Sequence, residues 1–245
     1  MYLPLISVIT ICYNSESCIG DTMHSVLGQT YENLEYIIVD GSSQDNTLRI
    51  VSTIIKKYPQ RNITIISEKD NGIYDAMNKA IRLANGEWLN MMNSGDVFIS
   101  KDILKNVVES GLMVQSSFIY SDFIAVDKEK RRLIKQSYDK GKILHQSSIY
   151  KKELHEKYGF YYVTHPYIVS DYLFFLQIPK NQFVKYNMPI SMNDVSGVSM
   201  QGYWMEYGRI SADYMMHRLS ETKFIFAVIK RYVINRVKEI LFLYI

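Results

Sequence analysis

The chain has 245 residues, of which 47% are hydrophobic and 22% are charged, and these proportions exclude a disordered tail and a fibrous repeat. A chain of this length buries about 70% of the surface that its unfolded form exposes, so its core needs no disulfide and we expect Cys12 and Cys18 to be reduced. The sequence has no run of 18 apolar residues and no basic patch before its first apolar segment. We therefore expect neither a membrane-spanning helix nor a signal peptide.

The net charge of +3 is unevenly distributed along the chain. Residues 218–245 carry six Lys and Arg against two acidic residues, whereas the rest of the chain carries 22 basic and 23 acidic residues. The body is therefore neutral and the tail is basic. We expect no nucleic-acid partner.

The first hundred residues alternate strand-length apolar runs with segments of helical period, which is typical of a parallel sheet covered by helices. The predicted elements are, in chain order, a strand at 5–11, a helix ending near Gly28, a strand at 34–39, a helix ending before Pro59, a strand at 63–66, a helix closed by Asn85 and Gly86, and a strand at 88–92.

The second half of the chain is less regular. The predicted elements there are paired strands at 118–126 and 132–137 around a charged turn, a helix at 168–178, a strand at 183–190 and a helix at 224–245. No repeat, low-complexity tract or Gly/Ser linker divides the sequence. We therefore predict one domain with a variable second half.

Polar residues follow each of the first four predicted strands. Right-handed crossovers bring the carboxyl ends of parallel strands to one edge of a sheet, where ligands bind. The residues expected at this edge are 10–14, 40–43, 68–72 and 93–96.

Several common site motifs are missing from the sequence. The first strand is followed by CYNSESCIG rather than GxGxxG, and no GxxxxGK[ST] motif occurs, so neither a dinucleotide cradle nor a P-loop is expected. No HExxH motif or paired CxxC occurs either, which makes a zinc site unsupported.

Aspartates do recur near the predicted strand ends, and another precedes an apolar helix. They are Asp40, Asp70, Asp96 and Asp171. Converging carboxylates suit the NH groups of a nucleotide base and a divalent cation that neutralises a diphosphate. For any single Asp after a strand, a turn or helix-cap role is the alternative.

Two stretches resemble a known family. SVITICYNSESCIGDTMHSVLGQTYENLEYIIVDGSSQDNT is similar to the amino-terminal signature of family 2 glycosyltransferases, and EKDNGIYDAMNKAIRLANGEWLNMMNSGDVF is similar to members that make bacterial surface polysaccharides of the O-antigen or colanic acid type. The resemblance is close over residues 5–100 and looser to about residue 200. It implies a GT-A-like α/β fold, with a mostly parallel central sheet, helices on both faces, an irregular acceptor-side second half and a C-terminal amphipathic helix.

The resemblance also implies a domain division and a set of donor-binding residues. Residues 1–217 would form the catalytic domain, with the nucleotide-sugar half at 1–100 and the acceptor half at 101–217, followed by the basic helix at 218–245. The donor-binding residues implied are Thr10, Tyr13, Asn14, Asp40, Asp70, Asn71, Gly72, Asn93 and Asp96. Among them, Asp40 would contact the base, and Asn71 and Gly72 would lie at the start of the third helix.

The predicted metal site departs from the family pattern. Members usually carry a DxD or DD pair that holds Mg²⁺ or Mn²⁺, whereas this chain has Asn93, Ser94, Gly95 and Asp96. Mg²⁺ can be held by one carboxylate with phosphate oxygens and water, so we expect Mg²⁺ or Mn²⁺ at Asp96, with help from Asn93. The alternative for this stretch is an Asx-type turn.

The catalytic base implied by the resemblance is Asp171. It lies in VSDYLFFLQI, where Ser170 replaces the usual acid of the family motif. Asp171 would accept the proton of the acceptor hydroxyl, and its alternative role is the N-cap of the helix that follows. His145 and Gln146 match a His-Gln pair of the subgroup and would line the acceptor or donor pocket, unless His145 is an ordinary core residue.

The resemblance therefore implies an inverting glycosyltransferase that moves a sugar from a nucleoside diphosphate sugar, UDP-linked in our prediction, to a saccharide or polyprenyl-linked acceptor. The depleted acidic pair and Ser170 keep open a nucleotide-sugar-binding module without catalysis. A sugar nucleotidyltransferase is a more distant alternative, because its GGxGTR-like loop is missing after the first strand.

The tail predicts a helix with an apolar stripe and a cationic flank. The stripe consists of Ile225, Val228, Ile229, Tyr232, Val233, Val237, Ile240, Leu241 and Tyr244. Such a helix could dock on an anionic membrane surface, which would place a cytoplasmic protein at the inner face of the plasma membrane. It could equally pack on the protein body or against a second subunit.

Overall fold

A computed structural model describes residues 2–127, 130–139, 141–163, 168–194 and 204–242 of the chain. In the last of these segments, side chains are described for residues 206–237.

The centre of the molecule is a seven-stranded sheet with strand order β10-β6-β9-β4-β1-β2-β3, numbered along the chain. The strands β3, β2, β1 and β4 run parallel to their neighbours in this order, whereas β9 is antiparallel to both β4 and β6. The strands are β1 (Ile6–Cys12), β2 (Leu34–Asp40), β3 (Asn62–Ser67), β4 (Trp88–Met91), β6 (Phe118–Tyr120), β9 (Ser148–Lys151) and β10 (Phe183–Lys185).

A second sheet has four strands in the order β5-β11-β7-β8, and β5 follows β4 in the sequence. Its strands are β5 (Val97–Phe98), β7 (Phe123–Asp127), β8 (Lys130–Ile134) and β11 (Ser191–Asp194). β7 and β8 pair in antiparallel fashion, which confirms the predicted pairing of strands around the charged turn.

The helices cover the central sheet and form the carboxyl-terminal part of the described chain. They are α1 (Ile19–Leu27), α2 (Thr47–Ile55), α3 (Ile73–Leu83), α4 (Ile103–Glu109), α5 (Leu112–Gln115), α6 (Glu153–Tyr158), α7 (Ser170–Gln177), α8 (Trp204–Met215) and α9 (Glu221–Phe242).

Alternating side chains of β1 show that both faces of the sheet are covered. Ile6 and Val8 belong to a core cluster with residues of α1, α2 and α4, whereas Ile9 and Ile11 belong to a second cluster with residues of α3 and α7. Successive side chains of a strand point to opposite faces, so each face carries its own apolar core. The predicted α/β architecture, with helices on both faces of a mostly parallel sheet, is confirmed.

Two predicted strands of the second half are wrong in extent. The run at 118–126 is divided between β6 and β7, which belong to different sheets; between them, Asp122 forms ion pairs with Lys135 and Lys185. The strand predicted at 183–190 ends at Lys185, and Pro189, which lacks a backbone N–H, stands between it and β11. Charge pairing and proline interrupt apolar runs that looked continuous.

An aromatic cluster packs against α7, the helix predicted at 168–178. His155 is 2% exposed and stacks on Phe174 of α7 with ring centroids 4.2 Å apart. Tyr150 and His155 Nε2 are hydrogen-bonded at 3.1 Å. Burial lowers the pKa of His155 to about 4, so at neutral pH this histidine is an uncharged aromatic part of the core.

The helix predicted for the basic tail is observed as α9, and it packs against α8. Among the described residues, no helix has the length and apolar character needed to span a bilayer.

Candidate active site

The loops at the carboxyl edge of the sheet are joined to one another by hydrogen bonds. The backbone N–H of Asn14 donates to Ser43 Oγ at 2.8 Å, which links the loops after β1 and β2. Ser15 Oγ and Ser94 Oγ are 3.0 Å apart, which links the loops after β1 and β4. Asn14 has a φ of 46°, a conformation that Asn tolerates better than most residues. The predicted ligand-binding edge therefore exists as one connected surface.

Asp40 ends β2 and organises the loop that follows it. Its carboxylate accepts hydrogen bonds from the Ser43 N–H at 3.0 Å, from the Ser43 hydroxyl and from the Ser67 hydroxyl at 2.7 Å. The residue has no exposed surface. This placement fits the turn role of an Asp after a strand. The predicted contact between Asp40 and a nucleotide base stays a prediction that this placement does not support.

Thr10 lies within β1, beneath the edge rather than on it. Its hydroxyl donates to the Met92 carbonyl at 2.6 Å, and the Tyr36 hydroxyl lies 2.8 Å from Thr10 Oγ1. Thr10 is fully buried, so its side chain ties β1 to the end of β4 and offers no group to a ligand in this conformation.

Tyr13, Gly41 and Asp70 form an open corner at the ends of β1, β2 and β3. Tyr13 is 62% exposed. A methyl group placed on Gly41 would come within 2.6 Å of Asp70 Oδ2 and 3.4 Å of Tyr13 Cδ2, so the aromatic ring and the carboxylate both lie against the backbone of Gly41. An exposed aromatic ring can stack on a nucleobase, and a carboxylate beside it can accept a hydrogen bond from the base or from a ribose.

The predicted start of the third helix is confirmed by the N-cap of α3, Gly72. Its φ of 107° requires glycine, its N–H donates to Asp70 Oδ1 at 2.9 Å, and the space around its Cα is open. Asn71 is exposed, and its N–H donates to Asp75 at 2.9 Å. Asp70, Asn71 and Gly72 therefore share one loop beside the open corner.

The stretch from Asn93 to Asp96 forms a turn, closed by a hydrogen bond from the Asp96 N–H to the Asn93 carbonyl at 3.0 Å. Asp96 is only 6% exposed, and Gln146 Nε2 donates to its Oδ2 at 2.7 Å. Burial raises the pKa of Asp96 to about 6 despite the Gln146 and Asn193 amides. The stretch is therefore a turn, but not the Asx-type turn of the alternative, because its hydrogen bond goes to the Asn93 backbone carbonyl and no described group donates to Asn93 Oδ1. The turn also presents a carboxylate held in a desolvated position.

The residues around Asp96 fit a divalent cation only in part. The described chain holds no group of three or more His, Cys, Asp and Glu side chains that could hold a metal ion. However, within the described ranges the buried oxygens Asn93 Oδ1 and Gln146 Oε1 have no hydrogen-bond partner. Amide oxygens are ligands that Mg²⁺ accepts alongside a carboxylate, phosphates and water. The donor set fits an ion that takes most of its ligands from a bound diphosphate.

Asp171 lies in the first turn of α7, after the N-cap Val169, and makes no cap hydrogen bond. The N-cap alternative is therefore wrong. Instead, Asp171 Oδ1 accepts a hydrogen bond from the Tyr74 hydroxyl at 2.8 Å, and Oδ2 lies 3.0 Å from His145 Nδ1. The Asp171 side chain is 16% exposed, so it retains an open side toward solvent.

Asp171 is held in its ionised form. Burial alone would raise its pKa, but the hydrogen bonds from His145 and Tyr74 and the nearby guanidinium of Arg209 outweigh burial, so the pKa of Asp171 lies below its ordinary value. The group is a carboxylate at neutral pH and can accept a proton.

His145 joins the two acidic positions. Its Nε2 lies 3.0 Å from Asn93 Nδ2 and its Nδ1 lies 3.0 Å from Asp171 Oδ2. Since the Asn93 amide donates to Nε2, the imidazole proton is on Nδ1 and is donated to Asp171. The next residue, Gln146, bonds to Asp96. The structure therefore brings Asn93, Asp96, His145, Gln146 and Asp171 together, and His145 is not an isolated core residue.

Three contributing residues were missed from the sequence. Tyr74 is 1% exposed, donates to Asp171 and accepts a hydrogen bond from the Ser170 N–H at 3.0 Å. Arg209 of α8 and Asn193 of β11 act on Asp171 and Asp96 respectively. Tyr74 follows Gly72 in the NGIYD stretch, which is a usable signal, whereas neither Arg209 nor Asn193 lies in a motif.

Solved structures of other proteins share this fold. Staphylococcus aureus TarS 1–349 in complex with UDP matches with a TM-score of 0.69 and 19% identity, covering 89% of this chain and 68% of that one. A mannosyltransferase from Pyrobaculum calidifontis, PcManGT, in complex with GDP-Man and Mn²⁺, matches with a TM-score of 0.70 and 19% identity, covering 90% and 66%. The predicted GT-A fold is confirmed.

Sequence relatives and a family match agree with the fold. TuaG of Bacillus subtilis (strain 168), a glycosyltransferase assigned to teichuronic acid biosynthesis, is 37% identical over 118 residues, which are 48% of this chain and 45% of TuaG. A PGL/p-HBAD biosynthesis glycosyltransferase of Mycobacterium bovis (strain BCG / Pasteur 1173P2) is 33% identical over 125 residues, 51% and 48% of the two chains. The matched segment thus spans about half the length of these relatives. The model for "Glycosyl transferase family 2" matches residues 7–160, so the chain belongs to glycosyl transferase family 2.

Proposed function

We propose that this chain is an inverting glycosyltransferase that moves a sugar from a nucleoside diphosphate sugar to a hydroxyl of a saccharide or lipid-linked acceptor in surface polysaccharide synthesis. The observation that carries the proposal is the hydrogen-bonded chain from Asn93 through His145 to Asp171, beside Asp96 and Gln146. It holds a proton acceptor and a phosphate-side carboxylate on one surface.

In this proposal Asp171 is the general base. It removes the proton of the acceptor hydroxyl as the oxygen attacks the anomeric carbon, and the nucleoside diphosphate leaves on the opposite side of the sugar, toward Asn93 and Asp96. A displacement in line inverts the anomeric configuration. Tyr74 and His145 occupy one lone-pair direction on each Asp171 oxygen, which fixes the carboxylate and leaves its open side for the hydroxyl.

A divalent cation, Mg²⁺ or Mn²⁺, bound by Asp96 and Asn93 would neutralise charge on the leaving diphosphate. The side chains themselves prepare that position: Gln146 orients the Asp96 carboxylate and His145 orients the Asn93 amide. The orientation leaves Asn93 Oδ1 without a hydrogen-bond partner among the residues that the structure describes.

The nucleoside end of the donor is assigned to the open corner at Tyr13 and Asp70. Neighbours of the same fold were solved with UDP, UDP-GlcNAc and GDP-Man, which supports a nucleoside diphosphate sugar as the donor class. We assign UDP as the nucleotide of this chain. Asn14 and Asp40 then act by holding the loops that frame the corner.

The acceptor side is the part of the surface next to α7. The names of the two relatives refer to teichuronic acid biosynthesis and to PGL/p-HBAD biosynthesis, and the first of these supports a growing saccharide as acceptor. If that saccharide is carried on a polyprenyl lipid, the protein meets it at the inner face of a membrane, so contact with an anionic membrane surface belongs to this proposal.

A transfer assay tests the proposed function. The purified chain is incubated with a panel of UDP and GDP sugars, with a mixture of lipid-linked and free saccharide acceptors, with Mn²⁺ or with a chelator. We expect turnover from a UDP sugar, dependence on the cation and a product of inverted anomeric configuration by NMR. Binding of UDP without hydrolysis or transfer under all conditions would contradict the proposal and favour a nucleotide-sugar-binding module.

Replacing Tyr13 by Ala should weaken donor binding. Stacking of a base on an aromatic ring contributes about 1–3 kcal/mol, so we expect the Kd for UDP to rise at least about fivefold, with a small change in kcat. Isothermal titration with UDP measures this directly. Tyr13→Phe, which keeps the ring, is the matched control and should bind nearly as well as the natural chain; equal affinity in Tyr13→Ala would remove the corner from the donor site.

A further inference from the structure

One face of α9 exposes large apolar side chains to solvent. They are spaced at i, i+3, i+4 and i+7, so they form one stripe along the helix. The six residues, between 49% and 68% exposed, are Ile225, Phe226, Ile229, Tyr232, Val233 and Val237. We call them the α9 stripe.

The described part of the protein body does not cover the α9 stripe. α9 packs against α8 through its other side, where Phe224 stacks on Tyr214 with centroids 4.5 Å apart and Asn235 is 5% exposed. Of the predicted apolar stripe with described side chains, only Val228 is half-buried rather than exposed. The alternative that the stripe packs on the body is therefore wrong for the described part of α9.

The α9 stripe also borders an apolar hollow between α8 and α9. The hollow has a volume of about 410 Å³ and is lined by Tyr207, Val228, Ile229 and Tyr232. A hollow of this kind can take up the end of a hydrocarbon chain.

The cations of α9 are divided between its two sides. Arg231 faces α8 and pairs with Glu206. Lys223, Lys230 and Arg236 are exposed, and on a helix with 100° per residue they lie within or beside the α9 stripe. The solvent-facing side of the helix thus combines apolar surface with positive charge.

We propose that the α9 stripe docks on a membrane surface that carries anionic lipid. The apolar side chains would enter the headgroup boundary while the flanking cations attract anionic headgroups, each contributing about 1 kcal/mol. A second copy of the chain is a poorer occupant, because a two-fold contact places the same patch against itself and would bring the cations of the two patches close together. This inference rests on the membrane contact included in the proposed function and names the surface that makes it. Its test is separate from that of the reaction, since membrane binding needs neither donor nor acceptor.

The docking helix is connected to the base side of the candidate active site. On α8, Asp213 accepts a hydrogen bond from the Tyr172 hydroxyl at 2.7 Å, and the Arg209 guanidinium lies 5.1 Å from the Tyr172 ring centroid. Tyr172 follows Asp171 in α7. A membrane bound at the α9 stripe would therefore lie two helices away from the proposed base.

Vesicle binding of the full chain tests the proposal. The protein is sedimented with vesicles of equimolar phosphatidylcholine and phosphatidylglycerol and, separately, of phosphatidylcholine alone. We expect binding to the anionic vesicles that is at least about fivefold stronger than to the zwitterionic ones and falls with added salt. Failure to bind anionic vesicles would overturn the proposal. A dimer detected by light scattering would assign the α9 stripe to a second copy instead, if serine substitutions in the stripe abolish that dimer.

Two variants locate the contact. Phe226→Ser with Ile229→Ser and Val233→Ser should lower binding to anionic vesicles at least about tenfold, whereas Lys223→Gln with Lys230→Gln leaves the apolar surface intact and should lower it severalfold and reduce the salt dependence. The matched control changes exposed apolar residues elsewhere, Val114→Ser with Leu133→Ser, and should bind like the natural chain. Unchanged binding in either tail variant would overturn the proposal.

Discussion

Replacing Asp171 by Asn should lower kcat of sugar transfer by at least about a hundredfold, since positioned general bases contribute about 10²–10⁴-fold. The amide has nearly the shape of the carboxylate and can still accept the hydrogen bond from Tyr74, but it cannot take up the proton of the acceptor hydroxyl. UDP affinity should change little, because the proposed function assigns the nucleoside to the open corner at Tyr13 and Asp70 and not to Asp171.

Initial rates at saturating donor, together with calorimetric UDP titration, separate these effects. Asp139→Asn is the matched control: Asp139 is exposed, pairs with Lys180 far along the chain and has no proposed role. Full transfer activity in Asp171→Asn would remove this residue from the mechanism.

Replacing Asp96 by Asn should also lower transfer at least about a hundredfold, yet make the folded chain more stable. The activity falls because the phosphate side loses its charged ligand for a cation. The stability rises because the natural carboxylate is ionised in a buried place, and the Asn oxygen can still accept the hydrogen bond from Gln146.

The pH dependence of stability fixes the sign of this effect. Burial raises the pKa of Asp96 from 3.8 to about 6, so between these values the folded chain keeps a proton that the unfolded chain has lost. Asp96 therefore lowers the free energy of unfolding as pH rises from 3.8 to about 6, by about 3 kcal/mol in all. Above this range the cost is constant.

Thermal unfolding across pH checks the second prediction. Asp96→Asn should have a higher Tm than the natural chain at pH 7, and the difference should shrink as pH falls below about 6. A variant that is inactive and less stable at neutral pH would show that Asp96 supports the fold, and the assignment of its activity loss to phosphate chemistry would fail.

The fold of the first hundred residues could be predicted from sequence because each signal there is local. The four parallel strands and three helices follow from apolar periodicity, and the loops at 10–14, 40–43, 68–72 and 93–96 do meet at one edge. The family resemblance also predicted Asp171 and His145 as site residues, and these roles stay predictions. The hydrogen bond between the two side chains could not be predicted.

The remaining features depend on contacts between distant parts of the chain. Tyr74 and Asp171 are 97 residues apart in sequence, and nothing in either motif specifies that they are partners. The surroundings of Asp40 depend on distant contacts too: its position after a strand is visible in the sequence, but its hydrogen bonds with Ser43 and Ser67 are not. Its contact with a nucleotide base stays a prediction.

The tail shows a second limit of sequence patterns. Its apolar stripe was visible in the sequence, but a stripe can face either a protein core or the solvent. The structure turns Ile229 and Val233 outward, and only the packing of α8 against the opposite side decides this orientation.

In the proposed reaction, Asp96 lies on the diphosphate side of one bound donor and Asp171 lies on its acceptor side. A crystal structure of Asp171→Asn with a UDP sugar and Mn²⁺ tests it most directly. We expect the diphosphate to lie at Asn93 and Asp96, with the anomeric carbon between this position and residue 171. The side chain of residue 171 should face an open space for the acceptor. A diphosphate bound away from Asp96, or an anomeric carbon shielded from residue 171 by the protein, would contradict it.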